Sequence, residues 1–303
     1  SGGDRASLTK SGNYVRNCHL HRFGRWSWTY NPGVQMHGAG HIVQHNLFES
    51  APHSAMLYSG NEHLIELNEI REVCRFSSDA GAIYTGRDWG YRGNEIRHNF
   101  IHDIATWFEG YGVHGVYLDD CVSGNHVMGN VLYRISGNAV LNGGGRDNVI
   151  ENNVMARNGT GLYGDSRGIQ AINNVPGDSW NMLERLTYDG IQYQQPPWST
   201  AYPKLAVVPN DWAQISDPNQ LWRYPQGCVF SRNIGFDNGG FQVSSDYGGT
   251  GTFDKYEAIA DNIADQDPLF VDEAQLDLTL QPGSPAFGIP GFEAIPFDQI
   301  GIE

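Results

Sequence analysis

A short pattern of apolar and polar positions recurs along most of the chain. An apolar or β-branched residue is followed, three positions later, by an asparagine and then by another apolar pair. Clear copies are Val43-Gln44-His45-Asn46-Leu47, Ile96-Arg97-His98-Asn99-Phe100-Ile101, Val127-Met128-Gly129-Asn130-Val131-Leu132 and Ile150-Glu151-Asn152-Asn153-Val154. The asparagines at positions 17, 46, 68, 99, 130 and 153 are 29, 22, 31, 31 and 23 residues apart, and Asn233 and Asn262 lie in later copies. Between them, segments such as Ala82-Ile83-Tyr84-Thr85 alternate with the period of two that is typical of β-strands.

A repeat of at least 22 residues with variable extra length predicts one coil of three short strands, with insertions at the corners. Asparagine tolerates the left-handed backbone region at such a corner, and its amide can hydrogen-bond to the asparagines of neighbouring coils. The predicted fold is therefore all-β: a right-handed parallel β-helix, a solenoid whose coils stack about 4.8 Å apart. A leucine-rich repeat would need a leucine consensus, and a propeller would need a period of about 40 residues.

The repeat pattern organises residues 1–303 as a single domain with one interruption. Residues 176–226 hold four tryptophans and Pro196-Pro197 without an asparagine anchor, and we expect this insertion to fold over the side of the solenoid. Within it, the stretch from Asp178 to Leu186 predicts a capped short helix. Residues 267–303 are predicted to form a last coil and an irregular C-terminal cap. Because the first coil would present an open edge, we expect a further N-terminal portion or another chain to cover it.

Composition narrows the class of partner. The chain has 38 glycines, which suit the corners of a solenoid, and 19 basic against 34 acidic residues, for a formal charge of −15. This balance argues against nucleic acid, whose binding depends on Lys and Arg. No run approaches the roughly 18 apolar residues of a membrane helix, and no signal peptide is visible in the chain. The four cysteines, at positions 18, 74, 121 and 228, contain no CxxC pair, so we interpret them as small buried hydrophobes and expect neither a metal site nor a cofactor.

Polar side chains concentrate in two segments, residues 78–89 and 112–120. Aligning Gly81 with Gly115 places Tyr84 beside Leu118 on neighbouring coils. Upstream, His53 falls in the column of Asp79, and downstream Asn142 and Asp165 continue the region of the Asp119-Asp120 pair. The alignment gathers carboxylates with His53 and His114, flanked by the aromatic residues Trp89, Trp107 and Tyr111. Cleavage of a sugar chain needs such a set, because one carboxyl group protonates the leaving oxygen and another acts as base or nucleophile, while aromatic rings stack on sugars.

Several of these residues also have a plainer interpretation. An aspartate at a corner commonly forms a solvated turn, and Asp88 follows Arg87 closely enough for a local ion pair. Asp119 and Asp120 are adjacent, so one can be catalytic and the other structural. Most of the eleven histidines lie near corners and are interpreted as polar corner groups rather than metal ligands.

At these residues the sequence resembles a known group of carbohydrate-active β-helix enzymes. The phrases that carry the resemblance are Pro52-His53-Ser54-Ala55, the run from Asp79 to Trp89, Tyr117-Leu118-Asp119-Asp120, Gly143-Gly144-Gly145-Arg146-Asp147-Asn148 and the run from Gln195 to Leu205. Within that group the chain resembles glycoside hydrolase family 141, which has α-fucosidase and xylanase members.

This resemblance implies a catalytic pair of aspartates on successive coils, which match Asp79 and Asp120, 41 residues apart. The expected substrate-binding residues are His53, Arg87, Asp88, Trp89, His114 and Asp119. The resemblance also implies a carbohydrate substrate and a secreted, periplasmic or cell-surface location.

Two other functions remain open at the level of sequence. A polysaccharide lyase or epimerase would use a cationic base and charge neutralisation, for which the arginines at positions 75, 87, 92 and 97 are available. The three lysines lie outside the coils that hold the cluster, and the charge of −15 disfavours polyuronates, which favours hydrolysis. The other alternative is a non-catalytic glycan-binding or structural solenoid.

Overall fold

The computed structural model describes residues 1–170, 180, 182–247 and 251–303, and most of its regular structure is β-strand. The strands form three sheets in which neighbouring strands pair in parallel, and the chain enters the three sheets in rotation. Within these sheets, each strand that is not at an edge therefore pairs with the strand three elements earlier and the strand three elements later. The prediction of an all-β fold built from parallel strands is confirmed.

The bounds of the strands follow this rotation. The first sheet contains β1 (Tyr14–Arg16), β4 (Ile42–Gln44), β7 (Leu64–Glu66), β10 (Glu95–Arg97), β13 (His126–Met128), β16 (Val149–Glu151), β19 (Val229–Ser231) and β22 (Ala258–Ala260). The second contains β2 (His19–His21), β5 (Leu47–Glu49), β8 (Glu69–Arg71), β11 (Phe100–Ile104), β14 (Val131–Ile135), β17 (Val154–Ala156) and β20 (Ile234–Phe236). The third contains β3 (Val34–Ala39), β6 (Met56–Asn61), β9 (Ala80–Gly86), β12 (Val113–Asp119), β15 (Asn138–Gly143), β18 (Thr160–Asp165) and β21 (Gln242–Ser245).

The core lies between the sheets and is built by the central residue of each short strand. In the first sheet, Ile65, Ile96 and Val127 are fully buried while the residues on either side of them are partly exposed. Ile70 and Ile101 take the same place in the second sheet, and all five belong to one continuous apolar cluster. Alternation with period two thus directs one side chain in each strand inward, where burial of apolar surface stabilises the fold.

The recurring asparagines form a ladder of side-chain amides. Asn46 donates to Asn68 at 2.9 Å, Asn68 donates to Asn99 at 2.9 Å, and the ladder continues through Asn130, Asn153, Asn233 and Asn262. The predicted amide pairing between repeats is therefore confirmed. Each amide also donates to nearby backbone carbonyls, so the ladder supplies hydrogen-bond partners to polar groups that would otherwise be buried at the corner without one.

Two details of the predicted corner are corrected. The left-handed residue is the one before the asparagine, as at Leu67 (φ 55°) and His98 (φ 52°), rather than the asparagine itself. In the first repeat the ladder position is occupied by Cys18, whose N–H donates to the Asn46 side chain at 3.0 Å, and Asn17 takes the left-handed conformation instead. Asn17 is thus one position away from the place predicted for it.

The segment between β18 and β19 contains most of the helical structure. Its helices are α1 (Met182–Arg185), α2 (Trp198–Ala201), α3 (Pro203–Ala206) and α4 (Trp212–Ile215), with 3-10 turns at Arg167–Ile169 and Tyr188–Gly190. A second apolar cluster joins these helices to Trp89 and Cys121, which follow β9 and β12. The helix predicted within 178–186 is present as α1, whereas its proposed cap, Asp178, lies outside the described residues. None of the described helices is both long and apolar enough to cross a membrane.

Residues 267–303, predicted as a cap, lie along the outer face of the second sheet. They include an antiparallel pair, β23 (Phe270–Asp272) and β24 (Asp277–Leu280), and 3-10 turns at Glu273–Gln275, Pro285–Gly288 and Phe297–Gln299. Phe270, Leu278 and Ile289 pack with residues of the second sheet such as Phe100 and Val131. A further 3-10 turn, Phe253–Lys255, precedes β22.

Three of the four cysteines are buried, as predicted, and Cys18 is the exception. Cys74, Cys121 and Cys228 are buried, Cys18 is half-buried, and all four are free thiols. Burial raises the pKa of the Cys74 thiol to about 12, because the charged form is disfavoured away from water. The buried cysteines are therefore core residues.

Candidate active site

A cavity of about 620 Å³ opens beside the third sheet. Its lining comes from strands β12, β15 and β18 and from residues just before or after β9 and β12, and Arg167, Gln170, Trp180 and Tyr247 complete it. The described lining residues are Asp79, Arg87, Tyr111, His114, Tyr117, Asp119, Asp120, Asn138, Leu141, Tyr163, Arg167, Gln170, Trp180 and Tyr247. Five of the eight predicted site residues line it: Asp79, Arg87, His114, Asp119 and Asp120.

The register of the third sheet differs by one residue from the predicted alignment. Gly81 pairs with His114, not with Gly115, and Tyr84 therefore pairs with Tyr117 rather than lying beside Leu118. Since successive side chains of a strand point to opposite faces, a slip of one residue moves every side chain to the other face. The correct register places two tyrosine rings together, with their centroids 5.2 Å apart and their planes perpendicular.

The floor of the cavity is a network of ion pairs centred on Arg167. Its guanidinium donates to Asp119 at 2.6 Å, to Asp120 at 3.0 Å and to Asp165 at 2.7 Å. Arg87 donates to the other oxygen of Asp120 at 2.8 Å. Three carboxyl groups thus face two guanidinium groups, and this excess of negative charge favours the uptake of one proton.

Asp119 is the carboxyl group on which that proton is favoured. Burial and the neighbouring charge of Asp120 raise its pKa, while Arg167 and the hydroxyls of Tyr84 and Tyr117 act in the opposite direction. Burial also raises the pKa of Asp165, whose side chain has no exposed surface. Asp119 accepts hydrogen bonds from the Tyr84 hydroxyl at 2.9 Å and from the Asp120 backbone N–H at 2.8 Å.

Asp79 has a different setting at the opposite end of the strands. It precedes β9, is exposed, and adopts a left-handed conformation (φ 55°) that aspartate tolerates better than most residues. Its Oδ1 accepts a hydrogen bond from the Tyr117 hydroxyl at 3.0 Å. Because the Tyr117 hydroxyl also acts on Asp119, it connects the exposed carboxyl group to the buried ones.

His114 is a neutral member of the cavity wall. Burial and the charge of Arg167 lower its pKa to about 4, and its Nδ1 accepts a hydrogen bond from the Asn138 backbone N–H at 3.2 Å. An acceptor at Nδ1 leaves the proton on Nε2. The His114 ring also packs edge-on against Tyr117 with centroids 4.9 Å apart, so it helps to hold the orientation of that tyrosine.

Three predicted site residues lie away from the cavity. Trp89 is only 2 % exposed and packs into the apolar cluster of the insertion. Asp88 is buried, accepts the Gly90 N–H at 2.7 Å, and has its cation partner in Arg5, at 3.9 Å, rather than in Arg87; burial raises its pKa to about 6. His53 is buried beside Tyr30, and Met56 pairs with Ile83, which places Pro52 rather than His53 level with Asp79.

The residues that organise the cavity were not predicted from the sequence. Arg167 lies just after the last strand of the lining and two residues beyond Asp165, which the alignment had placed in the region. Tyr84 and Tyr117 were visible in the sequence, but the shifted register separated them. Trp180, over which the Arg87 guanidinium lies at 5.4 Å, belongs to the insertion, whose position the repeat pattern does not specify.

Among the described residues, no group of three or more His, Cys, Asp or Glu side chains is arranged to hold a metal ion. No family model, no curated protein and no solved structure matches the chain. The chemistry of the cavity itself must therefore support any functional conclusion.

Proposed function

We infer that the three sheets are the faces of a right-handed parallel β-helix. The rotation of the chain through the three sheets supports this architecture, as does the asparagine ladder across successive repeats. Such a fold places residues from neighbouring repeats about 4.8 Å apart, which suits a site assembled from several strands. An experimental structure that shows the hand of the connections tests this inference.

We propose that the protein is a glycoside hydrolase whose active site is the cavity beside the third sheet. The observation that carries the proposal is the convergence of Asp79, Asp119 and Asp120 on one cavity, with an exposed carboxyl group at one end and, at the other, a buried pair in which the pKa of Asp119 is raised. Hydrolysis of a glycosidic bond needs one carboxyl group that donates a proton and one that is ionised. The cavity contains both kinds.

In this mechanism the Asp119-Asp120 pair supplies the proton to the leaving oxygen. In this proposal the proton resides on Asp119, because burial raises its pKa whereas Asp120 accepts hydrogen bonds from both Arg87 and Arg167. The negative charge of Asp120 in turn raises the pKa of Asp119. Asp120, which the family resemblance implies as catalytic, is in this way essential to the proton donor.

Asp79 supplies the ionised carboxylate in this proposal. One of its oxygens accepts the Tyr117 hydroxyl, and its exposure at the mouth leaves the other accessible to a sugar or to a water molecule. It acts as a nucleophile in a retaining reaction or as a base in an inverting one. Tyr111 and Trp180 offer aromatic surfaces on the cavity wall for the sugar rings.

A polysaccharide lyase is the second candidate, and one observation favours it. The Arg87 side chain is 52 % exposed and the neutral His114 lines the same cavity, which therefore contains a cation for a uronate carboxylate and an uncharged base. Against it, three carboxyl groups line the same cavity and repel a uronate. Hydrolysis accounts for the carboxyl groups more directly.

The test is an assay of the purified protein on a panel of neutral and charged polysaccharides, with two product readouts. We expect new reducing ends without ultraviolet absorbance from an unsaturated sugar, and a loss of about 10²- to 10⁴-fold in Asp79→Asn, because an essential acid-base group is removed. Trp26→Ala, a change at a fully exposed tryptophan outside the cavity lining, is the matched control. An unsaturated product would replace hydrolysis by elimination, and full activity in Asp79→Asn would refute the assignment.

A further inference from the structure

A second depression, of about 450 Å³, lies beside the active-site cavity and is lined by aromatic and arginine side chains. Its walls come from the connections between the second and third sheets in successive repeats, which include residues 22–33, 50–55, 72–79 and 105–112. We call it the aromatic groove and define it by Arg22, Arg25, Trp28, Arg75, Phe76 and Trp107.

The aromatic rings of the groove form a continuous row. Trp28 lies against Phe76 with ring centroids 5.0 Å apart, and Phe76 lies against Trp107 with centroids 4.7 Å apart. Trp28 is 51 % exposed and Trp107 is 68 % exposed. Rings that are packed against each other and still exposed present a fixed apolar surface, and flat apolar surfaces of this kind suit the faces of sugar rings.

The charge of the groove is opposite to that of the chain. Its described lining contains three arginines and no acidic residue, although the whole chain has a formal charge of −15. Arg22 and Arg25 form no ion pair or side-chain hydrogen bond with any described residue, and both are exposed. Arg75 lies over Trp107 at 5.1 Å and forms a weak surface pair with Glu72 at 3.4 Å. The free guanidinium groups therefore favour an anion.

The groove and the active-site cavity are connected through the same two loops. Residues 72–79 place Phe76 in the groove and Asp79 in the cavity, and residues 105–112 place Trp107 in the groove and Tyr111 in the cavity. These pairs are three and four residues apart, so their backbone separations are at most about 11 Å and 14 Å. One chain-like ligand can thus occupy both depressions.

We propose that the aromatic groove binds a negatively charged glycan, whose sugar faces stack on Trp28 and Trp107 and whose carboxylate or sulfate groups pair with Arg22 and Arg25. The inference rests on the proposed function in that the glycan extends from the chain cleaved in the cavity. It also resolves the objection that a chain of charge −15 repels acidic polysaccharides, because the local charge at the groove is positive.

The experiment measures binding by titration calorimetry in the Asp79→Asn protein, so that no cleavage interferes. The probes are oligogalacturonates, sulfated galactan oligomers and neutral xylan oligomers of similar length. We expect tighter binding of a charged oligomer than of the neutral one, weakening as salt is added, because exposed ion pairs are screened. The two charged probes distinguish a carboxylate from a sulfate ligand.

Variants then assign the binding to the groove. Trp107→Ala should weaken binding of the charged oligomer about tenfold, the size expected for loss of an exposed stacking ring with its cation partner. Arg22→Gln combined with Arg25→Gln should remove the preference for charge and most of the salt dependence. Tyr14→Ala, whose ring is 73 % exposed on β1 and lies outside the loops of the groove, should change neither.

The possible results separate this inference from the proposed function. If the charged oligomer binds as expected but the wild-type protein cleaves no glycan, the proposed hydrolysis is refuted, whereas the proposal that the groove binds a charged glycan is supported. Equal binding of neutral and charged oligomers, or unchanged binding in Trp107→Ala, would overturn the inference. So would a dimer in solution that Trp107→Ala dissociates without any glycan binding, because the occupant would then be a second copy of the chain.

Discussion

The cavity and the aromatic groove lie side by side on the same loops, but their charges are arranged in opposite ways. In the cavity, Arg167 pairs with three carboxyl groups and Arg87 with one, and most of these groups are buried. In the groove, Arg22 and Arg25 are exposed and have no anionic partner among the described residues. The guanidinium groups of the cavity are thus paired with its own carboxyl groups, whereas the groove leaves its positive charge available to a ligand.

This difference fits a division of roles in which the residues of the cavity carry out the proposed reaction and those of the groove bind the glycan. Groups that transfer protons must be held in fixed positions with shifted pKa values, which requires burial and close partners. Groups that hold a long polar ligand need to be exposed, and their interactions are individually weak. The two sets of arginines should therefore respond very differently to substitution.

The largest expected effect comes from removing the central cation of the cavity. Arg167→Met leaves Asp119, Asp120 and Asp165 without their shared partner, and the free energy of unfolding should fall by about 3–5 kcal/mol because buried charge is left uncompensated. Chemical denaturation at neutral pH measures this change. Arg25→Gln, the matched change in the groove, should alter stability by less than about 0.5 kcal/mol. Equal losses in the two variants would abolish the distinction between the two regions.

Asp88, a buried carboxyl group outside the cavity, extends the comparison. Because it is buried without a close cationic partner, its negative charge should lower the free energy of unfolding. Asp88 is buried with its cation partner 3.9 Å away, and its pKa is raised from an ordinary 3.8 to about 6. A raised carboxyl pKa means that the folded state binds the extra proton, so stability should fall as the pH rises from about 4 to about 6 and stay lower above that. Asp88→Asn does not titrate, so at neutral pH it should be more stable than the wild type by about 1–3 kcal/mol.

Denaturation of both proteins at several pH values checks this expectation. Asparagine can still accept the Gly90 N–H, which keeps the turn intact. A constant difference between the two proteins from pH 4 to pH 7 would show that the Asp88 carboxyl group does not titrate in this range.

The smallest effect concerns the pH dependence of the proposed reaction. Asp120→Asn removes the negative charge that raises the pKa of Asp119, so the pKa of Asp119 should fall. A proton donor loses activity as the pH rises through its pKa, and the alkaline limb of the kcat profile should therefore move to lower pH, by about one unit. The residual activity of the variant across pH measures the shift. An unmoved limb would remove the pair from the role of proton donor.

The fold was more predictable than the site, for reasons that particular residues illustrate. The asparagines at 46, 68, 99, 130 and 153 recur because each amide pairs with those of the neighbouring repeats, and the repeat can therefore be recognised from the sequence. The positions of the site residues depend on the register between β9 and β12. Aligning Gly81 with Gly115 predicted a register that was wrong by one residue. The repeat pattern does not specify how the chain packs after β18, which is why Arg167 and Trp180 could not be assigned to the cavity beforehand. Asp79, Asp119 and Asp120 were identified because several polar residues interrupt an otherwise regular pattern.

The most direct test of the division between the two regions is a set of kcat and KM values for one charged glycan with the wild type, Asp79→Asn and Trp107→Ala. Loss of a group that acts only in the transition state lowers kcat, whereas loss of uniform binding raises KM. We expect Asp79→Asn to lower kcat by at least about a hundredfold with little change in KM, and Trp107→Ala to raise KM about tenfold with kcat unchanged. A similar fall in kcat for both variants, or an unchanged kcat in Asp79→Asn, would contradict the assignment of catalysis to the cavity and binding to the groove.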